Sequence, residues 1–235
     1  MADFSTARRM MVDGQIRTSD VTSQRLISAF LNVPRERFVA PSMTALAYLD
    51  LDVAVADGGD DESARRMLKP MVLAKLLQAA KIEQSDRVLV VGCTTGYSAA
   101  ILASLAGSVV ALDEDAALSG QAAKTLSALG QSLGQSHGHS LGHSNVEVVR
   151  GPLTAGWPAG APYDAILIDG AVEIMPDSMR GQLKEGGRLV CVRGRKPPAK
   201  AVLYRLIEGE LSGRPIFDAS APLLPGFAEK PAFVF

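Results

Sequence analysis

Asp86 to Asp113 reads DRVLVVGCTTGYSAAILASLAGSVVALD, and this stretch decides the fold. Arg87 to Val91 is a short apolar run rich in β-branched residues, which predicts a strand buried on both faces, as in parallel sheets. A turn is expected at Gly92. From Tyr97 an Ala/Leu/Ile-rich run predicts a helix that stops at Gly107, since glycine tolerates the left-handed conformation in which helices often end.

A second strand is predicted at Val109 to Leu112, so the unit is β-turn-α-β and ends in Asp113. A glycine turn lets a ligand approach the backbone closely, and an acid at the tip of the second strand can accept hydrogen bonds from ribose hydroxyls. The unit therefore predicts a nucleoside-containing cofactor. A dinucleotide is disfavoured, because the positions of its three glycines hold Gly92, Thr94 and Tyr97.

The spacing of Gly92 and Gly96 fits better the looser G-x-G-x-G turn of S-adenosylmethionine-dependent methyltransferases, with Thr94 in place of the middle glycine. Two glycines between a strand and a helix are equally typical of an α/β scaffold without a ligand. The turn alone leaves both interpretations open.

The length of 235 residues predicts one sizeable hydrophobic core, with room for an added subdomain. Its 24 basic and 25 acidic residues give no electrostatic reason to expect nucleic acid or a membrane as a partner. The sequence shows neither a transmembrane-length apolar run nor a signal-peptide pattern. Cys93 and Cys191 lie in apolar contexts and are expected to be buried, reduced thiols, which predicts a cytoplasmic protein.

Strands and helices alternate through residues 81–235, which predicts a Rossmann-like core: an α/β fold with a doubly wound, mostly parallel sheet. Residues 1–80 are expected to form a helical and loop region that packs on this core. Further helices are predicted at Ser5–Ile16, at Val21–Asn32 with Asp20 as its cap, from Pro70 onward, at Asp115–Leu129 closed by Gly130, and at Pro176–Leu183. Further strands are predicted at Asn145–Arg150, Asp164–Ile168, Arg188–Val192, Val202–Glu208 and Pro215–Ala219.

A low-complexity insert at residues 131–144 contains all three histidines, His137, His139 and His143. Histidine clusters can bind metal, but these lie among Gly and Ser, without preorganisation or a fourth ligand. The insert is interpreted as a mobile loop, and no metal site is expected.

Six motifs cover most of the chain, and they occur in the order in which one family has them. By these motifs the chain resembles a divergent bacterial member of the protein-L-isoaspartate O-methyltransferase family. The pairing of an N-terminal MVDGQI with VPRERFVAP is far more specific than the glycine turn. The motifs are MVDGQI at Met11–Ile16, VPRERFVAP at Val33–Pro41, AYLD at Ala47–Asp50, VGCTTGYSAAILA at Val91–Ala103, APYDAILIDGA at Ala161–Ala171 and QLKEGGRLV at Gln182–Val190.

The resemblance implies transfer of a methyl group from S-adenosylmethionine to the free carboxylate of L-isoaspartyl residues, the first step in repair of damaged proteins. Such a carboxylate is already ionised at neutral pH, so the enzyme needs no general base and must supply positioning and electrostatic complementarity. The expected cofactor-binding residues are Gly92, Cys93, Gly96 and Asp113, with Asp169 and Gly170 flanking the site at the end of the fourth strand.

The chain departs from the family at four positions. Anchored on Pro70, the serine that helps to hold the substrate carboxylate corresponds to Leu68, and the acid before the glycine turn is Val90. Thr94 replaces a glycine, and Pro152 replaces an aspartate. These losses put both cofactor binding and isoaspartyl methylation in question.

Arg65 and Arg66 precede Pro70, at the end of the site where the substrate is expected. A guanidinium matches a carboxylate bidentately, so the hypothesis is that one of them replaces the missing serine in the catalytic site. The alternative is two solvated arginines after an acidic loop.

Three functions remain open at the level of sequence. The first is a carboxyl methyltransferase that acts on isoaspartyl proteins or on another carboxylate acceptor. The second is a catalytically impaired descendant that serves as a binding or scaffold protein. The third is a nicotinamide enzyme, which Thr94 and Tyr97 disfavour.

Overall fold

The computed structural model describes residues 3–56, 64–134, 145–194 and 198–229, with the backbone alone for 131–134. His137, His139 and His143 lie outside the described residues, so the interpretation of their insert as a mobile loop stays a prediction. Within the described ranges no three His, Cys, Asp or Glu side chains are grouped to hold a metal ion. No helix in these ranges combines the length and apolar character needed to cross a membrane.

The elements follow the predicted alternation of helices and strands. The helices are α1 (Ser5–Met11), α2 (Gln24–Asn32), α3 (Pro70–Ala80), α4 (Tyr97–Ala103), α5 (Ala116–Gly134) and α6 (Asp177–Arg180). The strands are β1 (Val53–Ala54), β2 (Arg66–Met67), β3 (Arg87–Val91), β4 (Ser108–Asp113), β5 (Val146–Arg150), β6 (Tyr163–Val172), β7 (Leu183–Arg193), β8 (Lys200–Ile207) and β9 (Glu210–Asp218).

Seven strands form one sheet in the order β5-β4-β3-β6-β7-β8-β9, and β1 pairs with β2 in a separate two-stranded sheet. The first five strands of the large sheet are mutually parallel, whereas β8 is antiparallel to β7 and β9 is antiparallel to β8. The chain runs outward from β3 through β4 to β5, and then returns to the other side of β3 at β6. The carboxyl ends of β3 and β6 therefore form the switch point at which α/β sheets bind ligands.

Strand β3 is buried on both faces, as its sequence predicts. Val88 and Val90 belong to the apolar cluster on one face of the sheet, and Leu89 and Val91 belong to the cluster on the other. Because side chains alternate along a strand, an unbroken apolar run can fill both layers. The mostly parallel Rossmann-like fold is confirmed.

Side chains of residues 1–80 share one apolar cluster with the sheet. Phe30 of α2 and Leu73 of α3 are almost fully buried in the cluster that contains Val88 and Val90. Helix α3 packs against β7 and β8. The boundary at residue 80 stays a prediction.

Several predicted boundaries differ from the structure. Asp20 does not cap α2: the Ser23 hydroxyl accepts the N–H of Leu26 at 3.4 Å, and Asp20 itself has a φ of 63°. The helix after the glycine turn stops at Ala103 instead of Gly107, and α5 continues past Gly130. Two further ranges are wrong: helix α6 is shorter than Pro176–Leu183, and after α1 the chain continues as a π-helix over Val12–Ile16.

Strand β6 is longer than predicted. It runs on to Val172, so Asp169 and Gly170 lie inside it, where its pairing register with β7 shifts between Leu167 and Ala171.

Candidate functional site

The turn after β3 keeps its glycine-like conformation without its middle glycine. Gly92, Thr94 and Gly96 have φ values of 81°, 51° and 98°. The N–H groups of Gly92 and Cys93 both donate to the carbonyl of Leu112 in β4, at 2.9 and 3.0 Å. These bonds hold the turn against the end of β4.

Gly96 is the N-cap of α4 and must be small. A Cβ atom at this position would lie 3.1 Å from Leu126 Cδ1 and 3.3 Å from Ala122 Cβ, both in α5. A glycine is thus required at residue 96 for two reasons: its φ is positive, and α4 packs closely against α5 there.

Asp113, the last residue of β4, is fully buried and is hydrogen-bonded on both carboxylate oxygens. Oδ2 accepts the N–H of Thr94 at 2.8 Å, and Oδ1 accepts the N–H of Asp115 at 3.1 Å. The Arg65 guanidinium donates to both oxygens, at 3.0 and 2.8 Å. The predicted ribose acceptor is therefore already paired with a cation.

Arg65 is shielded, with 13% of its side chain exposed. The interpretation of Arg65 as a solvated arginine is wrong, because Asp113 binds it bidentately. Its assignment to the substrate carboxylate stays a prediction, and it requires this ion pair to open.

Arg66 lies in a different environment. It lines an open groove of about 620 Å³ together with Asp52 and residues 220–226 and 228. Its Nη1 donates to the carbonyl of Asp52 at 3.5 Å. Of the two arginines predicted to bind the substrate carboxylate, Arg66 therefore lines an open groove, whereas Arg65 is shielded.

Leu68, at the position of the family serine, is buried, and its backbone carbonyl accepts a hydrogen bond from a buried arginine. The buried Arg35, from the VPRERFVAP motif, donates Nη2 to the carbonyl of Leu68 and Nε to the carbonyl of Ala47, both at 2.7 Å. Its guanidinium carbon lies 4.7 Å from the centroid of the Tyr97 ring. Sequence reasoning missed this residue, although its motif was recognised.

Asp169 is a buried carboxylate whose Oδ1 has no hydrogen-bond partner among the described residues. Burial raises its pKa to about 6, against the lowering effect of the Ser98 hydroxyl and of the Arg35 and Arg65 charges. Burial and the charges of Asp113 and Asp169 also raise the pKa of the Cys93 thiol well above its usual value. Cys93 is therefore a neutral, buried thiol and no nucleophile.

Leu224 packs over both strand ends and was not predicted. A Cβ atom at Gly170 would lie 2.6 Å from Leu224 Cγ, and one at Gly92 would lie 3.0 Å from Leu224 Cδ1. The segment that contains Leu224 pairs with β6 through Ala171, whose N–H donates to the carbonyl of Pro222 at 2.7 Å. The apolar run LLPGF was the available signal for this packing, but it carries no periodicity.

The site has the chemistry of a nucleoside site, but its acid, Asp113, is paired with Arg65. The glycine turn and Asp113 suit an adenosyl group, whereas the Arg65 guanidinium and Leu224 occupy the space in front of Gly92. The glycine turn and the Asp113 carboxylate fit the adenosyl part of S-adenosylmethionine, provided that the Arg65 guanidinium moves away from Asp113.

Residues 6–207 match the family described as Protein-L-isoaspartate(D-aspartate) O-methyltransferase (PCMT). The chain is 36% identical over 217 residues to a protein-L-isoaspartate O-methyltransferase of Rhodopseudomonas palustris, which covers 91% of each protein. It is 36% identical over 202 residues to one of Methanoregula boonei, covering 86% of this chain and 85% of that protein.

Solved structures show the same fold. One named protein-L-isoaspartate O-methyltransferase matches with a TM-score of 0.76 and 24% identity, covering 93% of this chain and 66% of that one. A putative protein-L-isoaspartate O-methyltransferase from Plasmodium falciparum, in complex with S-adenosyl-L-homocysteine, matches with a TM-score of 0.70 and 14% identity over 95% of this chain and 99% of that one.

These matches confirm the predicted fold and the predicted class of S-adenosylmethionine-dependent O-methyltransferases. The chain belongs to the protein-L-isoaspartate(D-aspartate) O-methyltransferase family.

Proposed function

We propose that this chain transfers the methyl group of S-adenosylmethionine to the free carboxylate of L-isoaspartyl residues in damaged proteins. The observation that carries the proposal is the placement of Asp113 beside the Gly92–Gly96 turn at the switch point of the sheet, in a chain whose residues 6–207 match the family. A buried acid at this position is the expected partner of ribose hydroxyls.

The acceptor needs little chemistry from the protein. An isoaspartyl carboxylate is ionised at neutral pH, so no side chain has to remove a proton from it. The chain has to hold the carboxylate in line with the methyl group and to balance its charge.

The open groove beside Arg66 is the acceptor position in this proposal. Its lining includes Arg66, Asp52 and the apolar residues Pro222 and Leu223, a combination that suits an extended peptide with one anionic group. Arg66 takes over the role that the family serine cannot play from Leu68, because guanidinium groups bind carboxylates strongly.

The experiment begins with calorimetric titration of the purified chain with S-adenosylmethionine, S-adenosylhomocysteine and NAD. Methyl transfer is then measured on an isoaspartyl peptide and on its normal aspartyl counterpart. We expect binding of both adenosyl ligands and methylation of the isoaspartyl peptide alone. Absence of adenosyl binding at millimolar ligand would refute the proposal, and binding of NAD instead would support the nicotinamide alternative.

Arg66→Ala tests the acceptor role. The Michaelis constant for the isoaspartyl peptide should rise about tenfold or more, because a charge-assisted hydrogen bond is lost. Arg205→Ala, which changes an exposed residue near the end of β8, is the matched control and should leave the Michaelis constant unchanged. An equal Michaelis constant in the Arg66 and Arg205 variants would remove Arg66 from the site.

A non-catalytic scaffold protein is the second candidate, and the filled site favours it. If Arg65 never leaves Asp113, the fold keeps the architecture of a methyltransferase without its ligand. The calorimetric titration decides between the two candidates.

A further inference from the structure

Two side chains, Arg65 and Leu224, lie against the residues expected to bind the cofactor, and this pair is hereafter called the plug. Its cationic half binds the acid that the ribose would need: Arg65 donates to both oxygens of Asp113, at 3.0 and 2.8 Å. Its apolar half covers the glycines: Leu224 Cδ1 lies 3.0 Å from a Cβ position on Gly92. Together they meet the polar and apolar surfaces that a nucleoside would cover.

The two halves of the plug are held differently. Leu224 belongs to a segment fixed along β6 by backbone bonds, including its own N–H to the carbonyl of Ala171 at 3.0 Å. Arg65 is held at the site through its side chain, while its backbone carbonyl accepts the N–H of Val55 at 3.3 Å. A long side chain can leave by rotation, without loss of any backbone pairing. Arg65 is therefore the movable half.

The charge of Arg65 suits a competitor for S-adenosylmethionine. The site contains two buried carboxylates, Asp113 and Asp169, and Arg65 interacts electrostatically with both. S-adenosylmethionine carries a positive sulfonium. On cofactor binding, the ribose hydroxyls would replace the guanidinium as hydrogen-bond donors to Asp113, and the sulfonium would keep a positive charge in the site, so that neither buried acid is left without compensation.

We infer that Arg65 is a built-in competitor of the cofactor: it neutralises Asp113 while the site is empty, and S-adenosylmethionine must displace it to bind. The inference rests on the proposed function. It makes Arg65 a determinant of cofactor affinity, because only the fraction of molecules with an open Arg65–Asp113 pair can bind, and the apparent dissociation constant rises accordingly.

The test is calorimetric titration of the full chain and its variants with S-adenosylmethionine. Arg65→Ala should bind at least about tenfold more tightly than the parent chain, since the competing state is removed. Arg65→Gln serves if the alanine variant does not fold, because its amide can still donate to Asp113 without the charge.

Arg188→Ala is the matched control. The Arg188 side chain is also 13% exposed and ion-paired with a buried acid, Asp86, but the pair lies at the amino end of β3. Its removal also breaks an ion pair with a buried acid, but does so away from the cofactor site, so we expect no gain in affinity.

The outcomes separate the inference from the proposed function. Tighter binding by both Arg65 variants and not by the Arg188 variant supports the inference. If the parent chain binds and the Arg65 variants bind equally or more weakly, the competitor role is overturned while the proposed function stands. If neither the parent nor any variant binds, both are overturned.

Discussion

Asp169 is a site carboxylate whose protonation is altered by burial. It is buried, its Oδ1 has no hydrogen-bond partner among the described residues, and burial raises its pKa to about 6. Because this pKa is above the usual value of 3.8, the ionised form is disfavoured in the folded state. Near neutral pH the folded chain therefore carries a carboxylate that destabilises it.

Asp169→Asn should for this reason stabilise the protein at pH 8, by on the order of 1–3 kcal/mol. The sign follows from linkage: a raised pKa means that the contribution of Asp169 to stability is full below pH 3.8 and is lost as the pH rises through about 6. The gain of the variant should shrink between pH 8 and pH 5. Urea unfolding of both proteins at the two pH values measures it.

The control is Glu210→Gln, an exposed acid whose side chain is 81% accessible. It should change the free energy of unfolding by less than about 0.5 kcal/mol at either pH. A gain for Asp169→Asn that is the same at pH 5 and pH 8 would show that burial does not shift this pKa.

At the scale of elements, residues 220–229 form a segment that is hydrogen-bonded to the carboxyl-terminal end of β6 and to the residues that follow it. Leu223 forms a parallel bridge with Ala171, and the N–H groups of Glu173 and Ile174 both donate to the carbonyl of Phe227, at 2.9 and 3.1 Å. The Phe227 ring is completely buried in the cluster that contains Leu224. The ring therefore fixes the segment that places Leu224 over Gly92.

Phe227→Ala should reduce the free energy of unfolding by about 3–5 kcal/mol, because it removes a buried ring and leaves a cavity. It should also speed amide exchange at Glu173 and Ile174, whose hydrogen bonds end on residue 227. Ile207→Ala, at a position that is 55% exposed, is the control and should cost much less. Equal losses in the two variants would mean that the segment is not anchored by Phe227.

For the whole molecule, the seven-stranded sheet separates two apolar layers, and each contains one cysteine. Cys93 lies in the layer shared with the N-terminal helices, and Cys191 lies in the opposite layer. Burial raises the pKa of Cys191 to about 12 and that of Cys93 well above its usual value. Neither thiol is accessible or ionised in the folded chain.

Thiol labelling should therefore report unfolding of the whole molecule. We expect both cysteines of the native protein to react at least about 100-fold more slowly than in denaturant, because labelling requires an exposed thiolate. The variants Cys93→Ala and Cys191→Ala assign the two rates. Rapid labelling of Cys93 alone in the native protein would show that the layer beneath the glycine turn opens by itself.

The sequence by itself determined the β-turn-α-β unit, the parallel sheet and the family. These follow from local patterns: an apolar run of five residues, the glycine spacing, and motifs such as VPRERFVAP. The turn kept its shape even with Thr94 at a φ of 51°, because Asp113 accepts the Thr94 N–H and the bonds to β4 hold it. Helix ends were less predictable, since Ser23 and Asp20 have nearly equal capping tendencies.

Only the tertiary structure decided what fills the site. Arg65 meets Asp113 across 48 residues of chain, and Leu224 meets Gly92 from near the other end of the sequence. Contacts of this kind leave no periodic pattern, because they depend on how separate segments meet at the carboxyl ends of the strands. An arginine in an acidic stretch and a leucine before Pro-Gly become a plug only when the sheet brings both against one glycine turn.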